Sequence, residues 1–286
     1  MSQAALDKAP PPEAVTTPPK VIPRKHPGRW VAAGLVLALS VAIVVWAATN
    51  EGFGWGEFGD YLFEPVILTA VKNTMVLAVL AQVISLVLGT LLAVMRMSEN
   101  KVIAGFAFFY AWFFRGVPVM VILIFVFFAA AVLPRIGWGA MSIDTNDLFA
   151  APFIAALIGF GLNDAAYTSE IVRAGLMSVP KGQTEAAHAL GMGPIRTIWR
   201  IVLPQALRII IPPAGNAFIS MLKLTSIATV IGYPELMNTV RSIYSSEFNT
   251  IPLLLVASFW YLVLTTVLSV GQHYIERYYG KGFERR

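Results

Sequence analysis

Two apolar stretches of this chain carry polar side chains at the spacing of one helix face. In the first stretch, Asn163, Tyr167 and Glu170 follow each other at i, i+4 and i+7, so they share a face of a helix. Asp164 and Thr168 lie beside them. In the second stretch, Asn216, Ser220 and Lys223 repeat this spacing. The hydroxyl residues Thr225 and Ser226 lie close to them in the sequence.

Two such faces predict a cavity that binds a zwitterion. A charge inside a membrane helix is costly and by default faces the bundle interior or water. Lys223 would bind a carboxylate, and Asp164 or Glu170 would bind an ammonium group. Alternatively, Lys223 pairs with Asp164, and Glu170 pairs with Arg173 at i, i+3. Both interpretations of Lys223 and Asp164 stay open, whereas for Glu170 and Arg173 we favour the ion pair, because both lie near the inner interface.

The residues offer little for catalysis or metal binding. The chain has no Cys, which excludes disulfides and thiolate metal sites. His188 has no second His or carboxylate at metal-ligand spacing. The phosphate-binding pattern G-x-x-x-x-G-K-[ST] is missing from the chain, so we expect no ATP hydrolysis by this protein itself. We therefore expect no catalytic residue and no metal.

The composition is that of a membrane protein. Hydrophobic residues make up 57% of the 286 residues and charged residues 13%, whereas about a quarter of the residues of a soluble domain are charged. A helix needs about 20 mostly apolar residues to cross a bilayer. The stretches that meet this length are 30–48, 66–94, 103–133, 150–172, 210–232 and 251–273. We expect an all-α integral membrane protein with about six transmembrane helices.

The distribution of basic residues predicts the topology. Most of the 21 Lys and Arg residues fall in the N-terminal tail, in alternate short loops and in the C-terminal tail, whereas the other loops hold only Arg135 and Arg241. Cytoplasmic loops carry the excess of Lys and Arg, so both termini are expected in the cytoplasm. This separation also explains the basic isoelectric point without nucleic-acid binding.

The two ends of the chain lie outside the main bundle. Residues 1–29 contain seven prolines and almost no large apolar residue, which predicts a disordered cytoplasmic tail. The stretch 30–48 follows a basic region, as a signal peptide would, but it has no clear small-x-small cleavage pair. We therefore favour a retained extra transmembrane helix. Residues 276–286 form a basic cytoplasmic tail.

A basic loop at 181–204 lies between two of the apolar stretches. Gly and Pro residues bound two short helices predicted at 183–190 and 194–202. Small residues there would permit close approach by another backbone, and Glu185 would be either a partner-facing acceptor or a favourable charge in a first helical turn. The positions of interest in this loop are Gly182, Glu185, Ala186, Ala187, Gly191, Leu203 and Pro204.

Four blocks in this order resemble a known family. They are Arg-Gly-Val-Pro at 115–118, the segment 165–180, the loop at 182–187 with its continuation at 203–208, and Asn216 with Lys-Leu-Thr-Ser at 223–226. Together they are similar to the permease subunits of ATP-binding-cassette (ABC) importers. The strongest likeness is to the polar amino acid permeases of the histidine and glutamine type.

This resemblance implies a fold, partners and site roles. Residues 66–275 would form an ABC type I importer permease domain, with 181–204 as the EAA loop whose coupling helices dock on an ATPase dimer. ATP and Mg²⁺ would bind to that dimer. The remaining partners would be a second permease subunit, like or unlike, and an extracytoplasmic amino acid-binding protein, in the plasma membrane with its lipid. The two polar helix faces would line the substrate pathway.

The resemblance also has departures. Val117, Ala217, Ile122 and Leu224 stand where the family has Thr, Glu, Gln and Asp. These changes remove polarity from segments that face the pathway, so the transported amino acid stays open.

Prolines predict two breaks in the helices. Pro118 would break the third span, so we assign Arg115 and Pro118 a structural or gating role. Pro212 and Pro213 predict a second break, in the fifth span.

Three other functions compete with the amino acid importer. An ABC permease for another small polar solute would agree with the loss of polar residues at Val117, Ile122 and Leu224. A passive channel or carrier would transport without ATP and would tolerate mutation of the loop. A membrane-embedded enzyme would need carboxylates or His clusters at one depth, and the sequence offers only Asp164 with Lys223.

Overall fold

The computed structural model describes residues 27–137, 143–145, 149 and 151–279. Contacts divide the chain into two compact units, Met1–Glu51 and Gly52–Arg286. Apart from residues 27–29 and 276–279, the predicted N-terminal and C-terminal tails lie outside the described residues. Residues 27–29 are helical, so the first helix begins slightly before the predicted boundary.

The first unit contributes helix α1, Pro27–Thr49. Pro27 begins the helix, where its missing N–H leaves no hydrogen bond unmade. Residues Gly28–Thr49 are long and apolar enough to cross a membrane. This helix overlaps the predicted stretch 30–48.

The second unit is a bundle of helices. A short 3₁₀ turn at Glu51–Phe53 leads into it. The helices are α2 (Trp55–Leu62), α3 (Pro65–Arg96), α4 (Lys101–Gly116), α5 (Val119–Phe127), α6 (Ala129–Val132), α7 (Pro152–Met177), α8 (Lys181–Ala189), α9 (Pro194–Thr197), α10 (Leu203–Leu224), α11 (Leu236–Glu247) and α12 (Thr250–Tyr279). A π-helical turn, Ile198–Val202, joins α9 to α10, and a 3₁₀ helix, Thr225–Ile231, follows α10.

The predicted all-α class is confirmed. Within the described residues, the only strands are β1, Arg135–Ile136, and β2, Ile143–Asp144, which form one short antiparallel pair. Four described helical segments are long and apolar enough to span a membrane, and the bent pair α4–α5 adds a fifth when it is counted as one span. The remaining predicted span, 150–172, which is the fourth in chain order, overlaps α7, and α7 does not meet this criterion. Asn163, Asp164 and Glu170 interrupt its apolar sequence.

Helix α7 lies at the centre of the bundle and packs most extensively on α3. Glycines allow the two backbones to approach closely. A Cβ atom added at Gly89 of α3 would lie 2.7 Å from Cβ of Thr168, and one at Gly161 of α7 would lie 2.6 Å from a methyl group of Ile84. The main core cluster includes Leu77, Leu123, Phe160 and Leu222, and so joins α3, α5, α7 and α10. This packing holds the polar face of α7 in a defined position.

The predicted break at Pro118 is confirmed, whereas the one at Pro212-Pro213 is wrong. The chain turns by 102° between α4 and α5, at Val117 and Pro118. Proline at 118 donates no hydrogen bond to the preceding turn. Helix α10, in contrast, continues through Pro212 and Pro213. The side-chain amide of Gln272 on α12 donates to the carbonyl oxygen of Pro212 at 3.2 Å, so a neighbouring helix contacts the α10 backbone at the proline pair.

Candidate functional site

A groove of about 650 Å³ opens between the α4–α5 break, α7 and α10. Helix α7 and helix α10 each turn part of their predicted polar face into it. The break adds the segment 115–119, whose backbone bends around Pro118. The polar side chains in its wall are Arg115, Asn163, Asp164, Tyr167, Asn216 and Ser220. The structure thus joins the two polar faces in one groove, and their role as a substrate pathway stays a prediction.

Asp164 is held in this wall by neutral donors. The Ser85 hydroxyl donates to its Oδ2 atom at 2.5 Å, and the Thr168 hydroxyl lies 3.3 Å from the same oxygen. The side-chain amide of Gln82 reaches Oδ2 at 3.5 Å. Ser85 and Thr168 also hydrogen-bond each other at 2.8 Å. Helix α3 therefore positions the carboxylate that α7 presents to the groove.

Several predicted pathway residues lie elsewhere. Thr168 is buried and supports Asp164 instead of facing the groove. Thr225 is fully buried, and its hydroxyl donates to the carbonyl oxygen of Leu222. The hydroxyl of Ser226 likewise donates to a carbonyl oxygen of the preceding turn, that of Lys223. None of these three hydroxyls lines the groove, and their role in a substrate pathway stays a prediction.

Lys223 is exposed and does not line the groove. The predicted alternative in which it pairs with Asp164 is wrong, because every ion pair among the described residues involves Glu170. Asp164 therefore has no basic partner in the described part of the chain. Its hydrogen bonds come from hydroxyl and amide groups alone.

Glu170 is surrounded by three guanidinium groups. Arg173 donates from Nε and Nη2 to Oε2 of Glu170 at 3.0 and 2.8 Å, which confirms the predicted i, i+3 pair. Arg96 of α3 and Arg115 of α4 each lie 3.6 Å from Oε1. Arg115 also stands over the ring of Tyr167, 5.7 Å from its centre. Arg115 thus joins the helix break to α7, in agreement with its predicted structural role.

A second cavity of about 400 Å³ adjoins these ion pairs and shares three wall residues with the groove, Arg115, Gly116 and Tyr167. Its other side chains include Arg96, Glu170 and the aromatic rings of Phe108 and Trp112. The groove and this cavity therefore meet at Arg115.

The loop 181–204 forms the two predicted short helical pieces. Helix α8 occupies Lys181–Ala189, and α9 with the π turn occupies Pro194–Val202. Glu185, Ala186 and Gly182 are exposed, whereas Ala187 is buried, so Ala187 serves internal packing and not a partner-facing surface. Leu203 begins α10, and Pro204 lies in the first turn of that helix.

Gly191 ends the first of these pieces with a φ of 75°, a left-handed conformation that favours glycine. Its N–H donates to the carbonyl oxygen of His188 at 2.9 Å, and the N–H of Met192 donates to that of Ala187 at 3.0 Å. The backbone turn itself therefore favours glycine at this position.

Large apolar side chains stand exposed on the same loop. The exposed fractions are 83% for Leu190, 74% for Ile195 and 66% for Trp199. Arg196 and Arg200 are exposed beside them. Ile195 and Trp199 line one surface hollow with Arg196 and Arg200, and exposed apolar side chains next to basic ones are typical of a protein-binding surface.

Comparison with known proteins identifies the class of the chain. Residues 85–281 match the family described as binding-protein-dependent transport system inner membrane component. The chain belongs to this family. It is a multi-pass membrane permease, one of the transport components of ABC importers.

The relatives of the permease are amino acid transport proteins. It is 47% identical over 278 residues to the arginine transport system permease protein ArgU of Corynebacterium glutamicum, an alignment that covers 96% of this chain and 88% of ArgU. It is 35% identical to the L-cystine transport system permease protein TcyB of Bacillus subtilis, over 75% of this chain and 87% of TcyB. A crystal structure of an amino acid ABC transporter with histidines superposes with a TM-score of 0.64 at 31% identity, over 74% of this chain and 94% of that chain.

Two sets of polar contacts in the permease were not predicted from the sequence. The first is Gln82 and Ser85, which contact Asp164. Their signal was present, because these two polar residues, three positions apart, interrupt the otherwise apolar stretch 75–89 of helix α3.

The second group surrounds Glu235, which is fully buried next to α11. Its carboxylate accepts hydrogen bonds from the Thr229 and Tyr261 hydroxyls and from the backbone N–H groups of Met237 and Asn238. Burial raises the pKa of Glu235, and these hydrogen bonds oppose the rise. The carboxylate thus ties the 3₁₀ helix, α11 and α12 together, and a lone Glu in a predicted loop gave no sign of this.

Proposed function

We propose that this permease carries a polar amino acid into the cytoplasm through the groove between the α4–α5 break, α7 and α10. The observation that supports it most is the groove wall, which combines a basic group, Arg115, with a carboxylate, Asp164, and four neutral polar side chains. A zwitterion needs one partner of each sign. The amino acid substrates in the names of the relatives agree with this chemistry.

Transport would be driven by a separate ATPase dimer that binds ATP and Mg²⁺. The chain itself is proposed to catalyse no reaction, since it has no phosphate-binding loop. The docking surface would include the exposed side chains of Leu190, Ile195 and Trp199 on the loop 181–204. Large aromatic and apolar side chains of this kind are typical anchors of protein interfaces.

The remaining partners follow from the same proposal. A second permease subunit would complete the pathway, and an extracytoplasmic amino acid-binding protein would deliver the substrate. The permease would lie in the plasma membrane with both termini in the cytoplasm, which places the loop 181–204 on the side of the ATPase.

Uptake by proteoliposomes tests the proposal. The permease is reconstituted with its ATPase and binding protein, and uptake of a panel of radiolabelled amino acids is measured with and without internal ATP. We expect uptake of one chemical class, only with ATP and binding protein. A matched control uses an ATPase whose phosphate-binding lysine is replaced, which removes hydrolysis without changing the permease.

The other outcomes separate the competing functions. Uptake without ATP would favour a passive channel or carrier. ATP-dependent uptake of a different polar solute, without uptake of any amino acid, would retain the permease and overturn its proposed substrate class.

A further inference from the structure

Two guanidinium groups in the wall of the 400 Å³ cavity have no close acidic partner. Arg96 and Arg115 each lie 3.6 Å from the same atom, Oε1 of Glu170, which is longer than a hydrogen bond. Among the described residues, neither guanidinium group donates a hydrogen bond. The other oxygen of Glu170 accepts two hydrogen bonds from Arg173. Arg173 therefore neutralises the carboxylate, and the charges of Arg96 and Arg115 remain in excess at the cavity.

Aromatic rings hold these two guanidinium groups by their flat faces. Arg96 lies over the ring of Phe108, 4.9 Å from its centre, and Arg115 lies over that of Tyr167 at 5.7 Å. The N–H groups of a guanidinium lie in its plane, so a stacked ring leaves them free to bind an acceptor. Trp112 adds an indole N–H to the same wall, and Tyr167 adds a hydroxyl. The wall thus presents several donors to an anion.

The aromatic part of the wall belongs to an apolar outer surface of the bundle. Phe108 and Trp112 are more than half exposed, and Phe109 and Phe113 stand exposed beside them on α4. Apolar rings on the outside of a membrane protein contact acyl chains, and Trp is enriched at the depth of the lipid headgroups. Arg96 is the last residue of α3, an end that the distribution of basic residues places on the cytoplasmic side. A basic cavity therefore adjoins a lipid-facing surface near the inner interface.

We propose that this cavity binds the phosphate group of an anionic phospholipid of the inner leaflet, with Arg96 and Arg115 as its donors. The guanidinium fork matches two phosphate oxygens, and basic pockets between membrane helices on the cytoplasmic side suit such headgroups. A volume of about 400 Å³ is within the usual range of ligand cavities. A lipid with a net negative charge offsets the excess positive charge, whereas a zwitterionic lipid does not.

The inference goes beyond the proposed function, because it needs no assumption about the transported solute. It connects the lipid to the groove, since Arg115 lines both the cavity and the groove. The bound headgroup would lie beside the α4–α5 break.

Native mass spectrometry of the purified full-length permease in detergent tests the proposal, because it counts bound lipids. Phosphatidylglycerol, which is anionic, and phosphatidylcholine, which is zwitterionic, are titrated with the same acyl chains. We expect one phosphatidylglycerol molecule to bind about tenfold more tightly than phosphatidylcholine, or better, since two basic groups attract its charge. Equal affinity for the two lipids would overturn the proposal.

Inorganic phosphate, added as a competitor, distinguishes the two sources of a phosphate group. A lipid site retains phosphatidylglycerol in its presence, because the acyl chains and the rings of α4 contribute to binding. Displacement of the lipid by an equal concentration of inorganic phosphate would show that free phosphate is the ligand, and would overturn the lipid as its source.

Arg96→Gln is expected to weaken the binding of phosphatidylglycerol by about tenfold, because hydrogen bonds to a charged group are lost. Arg96 does not line the groove, so the polar wall of the groove stays intact. The matched control is Arg208→Gln, the same loss of charge at an exposed position of α10 outside the cavity, and it should leave the affinity unchanged. An equal loss in both variants would overturn the site, since charge alone would then attract the lipid. An unchanged affinity in Arg96→Gln would overturn it too.

Trp112→Leu decides the matter if Arg96→Gln does not fold. The side chain is 63% exposed, so its replacement leaves the core intact and keeps the outer surface apolar. We expect the affinity for phosphatidylglycerol to fall by about threefold or more, the factor of one neutral hydrogen bond, with that for phosphatidylcholine unchanged. An unaltered affinity for phosphatidylglycerol would contradict the cavity as its site. The measurement needs neither substrate nor ATP, so its failure is distinguishable from a failure of the proposed function.

Discussion

At the scale of single residues, Glu170 balances a concentration of positive charge. Three guanidinium groups, those of Arg96, Arg115 and Arg173, come from α3, α4 and α7 and meet at this one carboxylate. Without it they would repel each other at the point where the groove meets the second cavity. The carboxylate therefore holds three helices together as well as filling an i, i+3 position on its own helix.

Glu170→Gln is expected to lower the free energy of unfolding by about 1–3 kcal/mol, because hydrogen bonds to charged groups are lost and three like charges remain. The side chains are partly exposed, so the loss should shrink at high salt, where exposed charges are screened. Thermal unfolding in detergent at low and high salt measures both effects. Glu185→Gln, an exposed carboxylate in α8, is the control and should change little. A loss independent of salt would contradict the electrostatic origin.

At the scale of elements, the contact between α3 and α7 depends on glycine. A Cβ atom at Gly89 would lie 2.7 Å from Cβ of Thr168 and 3.0 Å from the carbonyl oxygen of Ala165, distances that require a shift of the helices. Because Thr168 also contacts Asp164, this close approach positions the groove wall.

Gly89→Ala is therefore expected to destabilise the permease by about 1–3 kcal/mol through overpacking, and to weaken uptake as well. Gly105→Ala in α4 is the matched control, since nothing lies within 4 Å of an added Cβ there. Removing a helical glycine should stabilise that variant by up to about 1 kcal/mol. Thermal unfolding of the two variants gives the comparison, and equal stability would show that α3 and α7 are not closely packed.

The loop 181–204 exposes large apolar side chains that its own fold does not bury. Trp199→Ser removes a large exposed ring, 66% accessible, without opening the core. We expect affinity for the ATPase to fall by about 30-fold or more, since central interface aromatics contribute about 2 kcal/mol or more. Binding of the purified ATPase to permease in nanodiscs measures this effect. Trp30→Ser in α1, where the Trp is 82% exposed, is the control, and unchanged affinity in both variants would place docking elsewhere.

At the scale of the whole molecule, the predicted topology puts α8 and α11 on opposite sides of the membrane. The chain contains no cysteine, so single cysteines can be introduced without a background. Ala189→Cys in α8 and Ser245→Cys in α11 both replace exposed residues. The distribution of basic residues predicts that only the second lies outside.

A membrane-impermeant maleimide should therefore label Ser245→Cys in intact cells and Ala189→Cys only after permeabilisation. Labelling of both variants in permeabilised cells is the control for accessibility. The reverse pattern would invert the topology and remove the loop 181–204 from the cytoplasmic ATPase.

Much of the molecule could be predicted from the sequence because its signals are local. Five of the six predicted apolar stretches correspond to helical segments that are long and apolar enough to span a membrane, when the bent pair α4–α5 is counted as one. Pro118 marked a helix break. The 3.6-residue period placed Asn163 with Tyr167, and Asn216 with Ser220, on shared helix faces. Each of these properties depends on neighbours within a turn or two of the same helix.

Only the tertiary structure decided which polar groups meet. Asp164 binds Ser85, which lies 79 positions earlier in the chain, and not Lys223, because α3 packs on the polar side of α7 while Lys223 faces outward. Thr225 lies close to the polar face of α10 in the sequence but is buried, and α10 continues through Pro212, whose carbonyl accepts from Gln272 of another helix. Contacts between helices depend on how their surfaces pack, which the period of a single helix does not specify.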